Sequence, residues 1–285
     1  MTYWQRFKSY LALTKPKQTF LLVVTGAAGF GSVKCPIEYW GMSWAILGTL
    51  FLAVGGCTVF NMIYDRDIDQ IMPRTSNRPL PAGDISLPNA LLFASVLTAT
   101  GVGWAFTIYP LYGWIILAGV FLDAIVYTVL LKRTTPFSII YGGLSGGMPI
   151  LAGRSLALGQ IDLLGILLAL AIVLWIPTHI MTFSIKYSDE YARAKIPTFP
   201  STYGVDITRK IISWSTIFAS LAMVTAGLLI GLEGYCLFFL ILFSLVLSSM
   251  AVLSVVIHSL RLNYGLFKVA SVYMLGCMLL FIFVQ

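Results

Sequence analysis

Charged residues are scarce in this chain. Of its 285 residues only 10% are Asp, Glu, Lys or Arg, while 59% are hydrophobic and the mean hydropathy is +0.90. A typical soluble domain carries about 25% charged residues. The shortage of charge excludes an ordinary soluble domain and predicts a protein that resides in a lipid bilayer.

Cysteine and histidine are also rare, with four and two copies. None of the cysteines has the CxxC or CxxH spacing of a zinc or redox site, so the sequence predicts neither. Cys35 and Cys236 fall on the same, outer side in the topology derived below. A disulfide between them is possible, and the sequence leaves it open.

Long apolar runs are what the chain has in abundance. A hydrocarbon core about 30 Å thick requires roughly 20 apolar residues per helical span. Runs of that kind, bounded by charge, Pro or Gly, occupy residues 19–33, 44–64, 88–109, 111–131, 137–158, 162–185, 209–232, 235–259 and 266–285. We therefore expect an all-α polytopic membrane protein with about nine transmembrane helices, forming one membrane-embedded domain over residues 1–285.

The distribution of Lys and Arg predicts the orientation. Sixteen of these residues lie in the N-terminal segment and the loops on its side, whereas the alternate loops hold only Lys34 and Arg154. The positive-inside rule then places the N-terminus in the cytoplasm. Because the net charge of +7 is spread over several short loops, it is not a nucleic-acid footprint. A cleaved signal peptide ending near Gly26 is the less favoured alternative, since a long charged segment precedes the first span.

A group of polar residues marks the end of the second span. Asn61, Asp65 and Asp69 recur every four residues, so a continued helix would present them on one face. Neighbouring carboxylates repel each other and favour a bound cation. Oxygen ligands without His or Cys predict a hard cation, and Mg²⁺ with a phosphate-bearing ligand fits best. The alternative, charges that merely flank a helix at the interface, is weakened by the basic residues that follow.

Those basic residues are Arg74 and Arg78, whose guanidinium groups suit phosphate oxygens. A second acidic loop contains Lys186, Asp189 and Glu190, where a carboxylate could hold a second Mg²⁺ and the lysine could lie beside the phosphates. We expect active-site loops at about residues 61–87 and 186–208, open to the cytoplasm.

These residues resemble the UbiA superfamily of membrane prenyltransferases, whose members have nine helices and a first motif NxxxDxxxD that Asn61, Asp65 and Asp69 match. Within it, the run from Asn61 to Leu80 most resembles the haem O synthase branch. The same holds for four further stretches, at residues 13–17, 127–134, 142–149 and 175–200. The resemblance covers about the first three-quarters of the chain.

The chain departs from the family pattern in its second acidic loop. The usual DxxxD motif is absent because Arg193 follows Asp189 by four residues. Glu190 stands where the branch has an Asp before the Tyr, which leaves open which of the two carboxylates binds metal. Lys195 stands where the branch often has Gly or Asn.

The resemblance implies a prenyltransferase that ionises farnesyl diphosphate and transfers the farnesyl group to haem B, where the acceptor is a vinyl group and water then adds. It implies two Mg²⁺ ions on Asn61, Asp65, Asp69, Asp189 and Glu190. The diphosphate would contact a mainly basic set, which comprises Arg74, Arg78, Lys132, Lys186 and Tyr127.

Two polar residues inside spans are candidates for acceptor binding. His179 follows the helix-disturbing Pro177, and either a haem-binding role or a hydrogen-bonded interior histidine explains it. Asp123 could accept a hydrogen bond from Tyr127 one turn later, which is the favoured role, or line the acceptor pocket.

Alternative functions keep the superfamily and change the acceptor to 4-hydroxybenzoate, another quinone precursor, a chlorophyllide or a glycerophosphate lipid. A secondary transporter is the remote alternative, disfavoured because the charges cluster at the cytoplasmic mouth. The expected location is the cell's inner membrane.

Overall fold

The computed structural model describes residues 2–33 and 40–283, and within these ranges it is helical, without strands. The helices, in chain order, are α1 (Tyr3–Leu13), α2 (Pro16–Gly31), α3 (Trp40–Tyr64), α4 (Arg66–Ile71), α5 (Leu87–Ile108), α6 (Pro110–Val120), α7 (Ser138–Leu158), α8 (Leu163–Lys186), α9 (Ser188–Arg193), α10 (Phe199–Tyr203), α11 (Val205–Ile230), α12 (Gly234–Val256) and α13 (Leu260–Phe283). A π-helical segment, Phe121–Leu131, continues α6.

Seven helices of the described ranges are long and apolar enough to cross a membrane: α3, α5, α6 with its π-helical continuation, α8, α11, α12 and α13. Each of the nine predicted spans overlaps a helix. The remaining two are α2, with 16 residues, and α7, whose 21 residues include five glycines. The all-helical fold is confirmed, and nine as the number of spans stays a prediction.

The long helices form two groups with separate apolar cores. Buried residues of α2, α3, α5, α6 and α7 make one core, and buried residues of α8, α11, α12 and α13 make most of the other. Helix α7 contacts both α2 and α8, while α13 packs against α2 and α8. Residues of α2, α3, α7, α8 and α13 line a cavity between the two groups, which is described below.

Close contact between α2 and α7 depends on glycine. A Cβ atom at Gly29 would lie 2.0 Å from the carbonyl oxygen of Ile150, and one at Gly153 would lie 1.9 Å from that of Gly26. Real Cβ atoms do not approach oxygen so closely, so these positions admit only glycine without a shift of the helices. The small residues near the end of the first span therefore have a packing role.

A buried ion pair lies at the predicted outer end of the bundle. Arg154 is in helix α7 rather than in a loop, and its guanidinium donates to Asp162 at 2.8 Å and to the Ser32 hydroxyl at 2.7 Å. The hydrogen bond from Arg154 lowers the pKa of Asp162. Arg154 is thus a structural charge. Lys34 and Cys35 lie outside the described residues, so the possible disulfide with Cys236 is untested.

Candidate active site

The first acidic motif lies where α3 ends. Asp65 leaves helical geometry between α3 and α4, yet its amide still bonds to Asn61 and the Asp69 amide bonds to Asp65. The four-residue register therefore continues through the break. Asp65 and Asp69 reach the same pocket, as expected, whereas Asn61 lies one turn deeper and lines a different cavity.

The two predicted active-site loops pack together. Ile68 and Met72 from the first form a small apolar cluster with Ile196 from the second, and Tyr191 packs against it. Such burial holds the loops over the end of the bundle. On the rim, the Arg74 guanidinium lies 4.9 Å from the centre of the Tyr187 ring, a second contact between the loops.

A cavity of about 190 Å³, here called the polar pocket, lies beneath these loops. Its charged lining comprises two carboxylates and four cations: Asp65, Asp69, Lys15, Arg74, Arg78 and Lys132. The Lys132 ammonium donates to Asp65, and Nη1 of Arg78 donates to both oxygens of Asp69 at 2.8 and 2.9 Å. The excess of two positive charges suits a polyanionic ligand.

Two carboxylate oxygens of the predicted metal-binding residues are buried without a partner in the described chain. They are Oδ1 of Asp65 and Oε2 of Glu190. A buried, unpartnered carboxylate oxygen is costly unless a cation or proton joins it, so both atoms fit a hard cation such as Mg²⁺. Neither Glu190 nor Asp189 belongs to the pocket lining, and Asp189 is exposed. No group of three His, Cys, Asp or Glu side chains close enough to hold a metal occurs among the described residues.

Asn61 takes part in a buried network one turn deeper. Its amide nitrogen donates to Oδ2 of Asp123 at 2.7 Å, and its amide oxygen accepts from the Thr128 hydroxyl. The Cys57 thiol lies 3.1 Å from the same Asp123 oxygen. The predicted pairing of Asp123 with Tyr127 is therefore wrong: Asp123 lies in the π-helical segment and accepts its hydrogen bonds from Asn61 and Cys57 of α3 instead.

A second cavity, of about 510 Å³ and here called the apolar chamber, lies between the two helix groups. Most of its lining is apolar, and Asn61, Asp123 and His179 are among its polar members. Trp175, Phe183 and Phe267 surround the imidazole of His179 with ring centres 4.9–5.7 Å away. His179 Nδ1 is buried and makes no hydrogen bond to the described residues, so the hydrogen-bonded interior histidine does not describe it.

The sequence interpretation missed Lys15 and Tyr191 as pocket residues, and it placed Lys186 closer to the predicted phosphate site than the structure does. Lys15 borders both cavities and has left-handed backbone geometry, with φ 45°. Burial, followed by the charges of Arg78 and Lys132, lowers the pKa of Lys15 to about 8. Its place just before Pro16 was the available signal. Tyr191 also lines the polar pocket. Lys186, by contrast, is exposed over the Tyr264 ring and does not reach the pocket lining.

Comparison with known proteins agrees with this geometry. Over 248 residues the chain is 38% identical to a protein named protoheme IX farnesyltransferase from Archaeoglobus fulgidus, covering 87% of this chain and 84% of that one. A protein of the same name from Korarchaeum cryptofilum is 39% identical over 259 residues, covering 90% of this chain and 84% of that one.

Solved structures share the fold. One from work on digeranylgeranylglyceryl phosphate synthase matches with a TM-score of 0.79 at 18% identity, covering 98% of both chains. A UbiA homologue from Archaeoglobus fulgidus bound to GPP and Mg²⁺ matches with a TM-score of 0.68 at 16% identity, covering 96% of this chain and 99% of that one. The UbiA prenyltransferase family model matches residues 20–283. This chain, an integral multi-pass membrane protein, belongs to the UbiA prenyltransferase family.

Proposed function

We propose that this protein transfers a farnesyl group from farnesyl diphosphate to haem B, giving haem O. The observation that carries the proposal is the meeting of two unlike cavities: the cationic polar pocket and the apolar chamber share Lys15 and Ile180 in their linings. A diphosphate in the first would direct its apolar chain into the second. The names of the curated relatives support haem as the acceptor.

The diphosphate is assigned to the cations of the polar pocket. Arg74, Arg78, Lys132 and Lys15 are within its lining, and Lys186 could act only at the rim. Guanidinium groups can contact two phosphate oxygens at once, whereas the lysines act as point charges. Lys132 also lies 5.7 Å from the Tyr127 ring, whose face can stabilise a nearby allylic cation.

Mg²⁺ is assigned to the acidic residues of both loops. The unpartnered oxygens of Asp65 and Glu190 support these two first, and they support Glu190 over Asp189. Asp69 and Asn61 would join after release from Arg78 and Thr128, and a second ion would draw on the same set. When bound, Mg²⁺ supplies the charge that neutralises the departing diphosphate.

Haem is assigned to the apolar chamber, with His179 as the group that contacts it. An unpartnered imidazole nitrogen inside an aromatic cage supports this role, since neutral imidazole is a common iron ligand. The cage is held in place by the Trp175 indole, which donates to the Ala270 carbonyl at 3.1 Å. A quinone precursor, a chlorophyllide or a lipid phosphate remains the alternative acceptor, while family membership gives no support to a transporter.

The site is assigned to the cytoplasmic side of the cell's inner membrane. The support is the excess of Lys and Arg on the N-terminal side, to which the active-site loops also belong. Since Arg154 is a buried partner of Asp162, the outer loops carry even less free positive charge than the sequence suggested.

The test is an assay of the purified protein in detergent with farnesyl diphosphate, Mg²⁺ and haem B, followed by mass spectrometry of the porphyrin. Asp65→Asn should abolish the product. Asp67→Asn is the matched control, because Asp67 faces away from the pocket, pairs with Arg133 and has a 66% exposed side chain. If haem stays unmodified while another acceptor is prenylated, the protein is still a prenyltransferase, but haem B is not its acceptor.

A further inference from the structure

One carboxylate residue lines the apolar chamber. Among the chamber's described lining residues, Asp123 is the sole Asp or Glu. Both hydrogen bonds to its side chain, from Asn61 and Cys57, end on Oδ2. Oδ1 accepts none within the described chain. An ionisable group at membrane depth is costly, and its retention points to a functional role.

The proposed reaction creates a need for such a group. After the C–O bond of farnesyl diphosphate breaks, the diphosphate leaves with the electron pair. The terminal vinyl carbon of haem then forms a C–C bond with C1 of the farnesyl group. Positive charge develops on the other vinyl carbon, next to the macrocycle. To become haem O this carbon must take a hydroxyl from water, and the water must lose a proton.

We propose that Asp123 is the catalytic residue that holds this water and takes its proton. The water oxygen forms the C–O bond, and its proton passes to Oδ1 of Asp123. The negative charge also stabilises the carbon cation before attack, an effect that is strong in an apolar cavity. In a chamber whose lining is mostly apolar, a water needs such an acceptor to be held in place.

Asp123 lies close to the pocket in which the farnesyl diphosphate is proposed to ionise. Asn61, which donates to Oδ2, lies one turn before Asp65 of the polar pocket. Asp123 therefore lines the chamber close to the end where the allylic carbon must enter. Without the carboxylate, the cation would instead lose a proton from the adjacent new CH₂ group and become an alkene.

The inference rests on the proposed function, and the mass of the porphyrin product distinguishes failure of the one from failure of the other. Asp123→Asn keeps an oxygen that can accept from Asn61 but cannot take the proton. We expect farnesylated porphyrin that lacks the added water to become the main product. Formation of the hydrated product should fall about 100-fold, the lower end of what a general base contributes. Asp123→Glu, which keeps the carboxylate, should restore hydrated product, and Asp67→Asn should match the wild type.

Two outcomes would overturn the inference itself. Hydrated product at the wild-type rate from Asp123→Asn would show that the carboxylate is not needed. If that variant unfolds in detergent, Asp123→Ser replaces it, with the same expectation. Loss of all prenyl transfer in a folded Asn or Ser variant would show that Asp123 only holds Asn61. If the wild type leaves haem unmodified, the proposed function fails first.

Discussion

Removal of the Arg78 guanidinium tests the polar pocket most directly. Arg78 donates to both oxygens of Asp69, whose side chain is only 5% exposed. Hydrogen bonds to charged groups contribute about 1.5–3 kcal/mol. If the same guanidinium binds the diphosphate, Arg78→Met should raise the KM for farnesyl diphosphate about 10- to 150-fold, since 1.4 kcal/mol corresponds to a factor of ten.

The stability effect should be separable from the effect on binding. Breaking a buried ion pair costs about 3–5 kcal/mol, and the partial exposure of Arg78 reduces this to about 1–2 kcal/mol. Thermal unfolding in detergent and steady-state kinetics, measured on the same samples, give both quantities. The KM and Tm of Arg78→Lys should lie between those of Arg78→Met and the wild type. Lysine keeps the positive charge but cannot make the paired hydrogen bonds of a guanidinium group.

Arg133→Met is the matched control, since Arg133 pairs with the exposed Asp67 outside the pocket lining. It should leave the KM for farnesyl diphosphate unchanged. If Arg78→Met leaves that KM within twofold of wild type while kcat falls, Arg78 does not bind the diphosphate and only positions Asp69.

Three further predictions concern other positions. Because Lys15, with a pKa of about 8, loses its charge as the pH rises to 9, the KM for farnesyl diphosphate should rise by up to about tenfold, and Lys15→Arg should flatten this pH profile. The exposed Lys195 has φ 53°, so Lys195→Gly should raise the free energy of unfolding by about 0.5–1 kcal/mol, seen as a higher Tm. Asp162→Asn should lower the Tm at pH 7 by weakening the pair with Arg154. Because the pKa of Asp162 is lowered in the fold, its stabilisation is present above the unfolded pKa of about 3.9 and is lost as pH falls further, so the Tm difference should vanish there.

The sequence was sufficient for features that depend on local pattern. Apolar run length located the long helices, and the four-residue spacing of Asp65 and Asp69 placed both in one pocket. The family resemblance also marked Lys195 as a departure from Gly or Asn, and its left-handed backbone gives the physical reason. Each of these properties is decided within a few residues of chain.

Features that depend on contacts between distant segments could not be predicted. Asp123 and Tyr127 would be one turn apart in a regular α-helix, but they lie in a π-helical segment. There Asp123 accepts a hydrogen bond from Asn61, 62 residues earlier in the chain. Similarly, the place of Lys15 just before Pro16 indicates a change of backbone direction but does not predict that its side chain lines a pocket. Lys15 borders both cavities because it directly precedes α2, a helix that packs against α7 of its own group and α13 of the other.

The division between the cavities has a chemical consequence. Ionisation needs charge, which the polar pocket supplies, whereas the resulting cation survives longest where nucleophiles are few, as in the apolar chamber. Lys15 stands where the two meet, and Asn61 and Asp65 link them along one turn of helix. A prenyl group crossing this boundary would leave the diphosphate behind among the cations. Its reactive carbon would then face a lining in which Asp123 is the only Asp or Glu among the described residues, and the proposed role of Asp123 begins once the new C–C bond has moved the positive charge to the vinyl carbon.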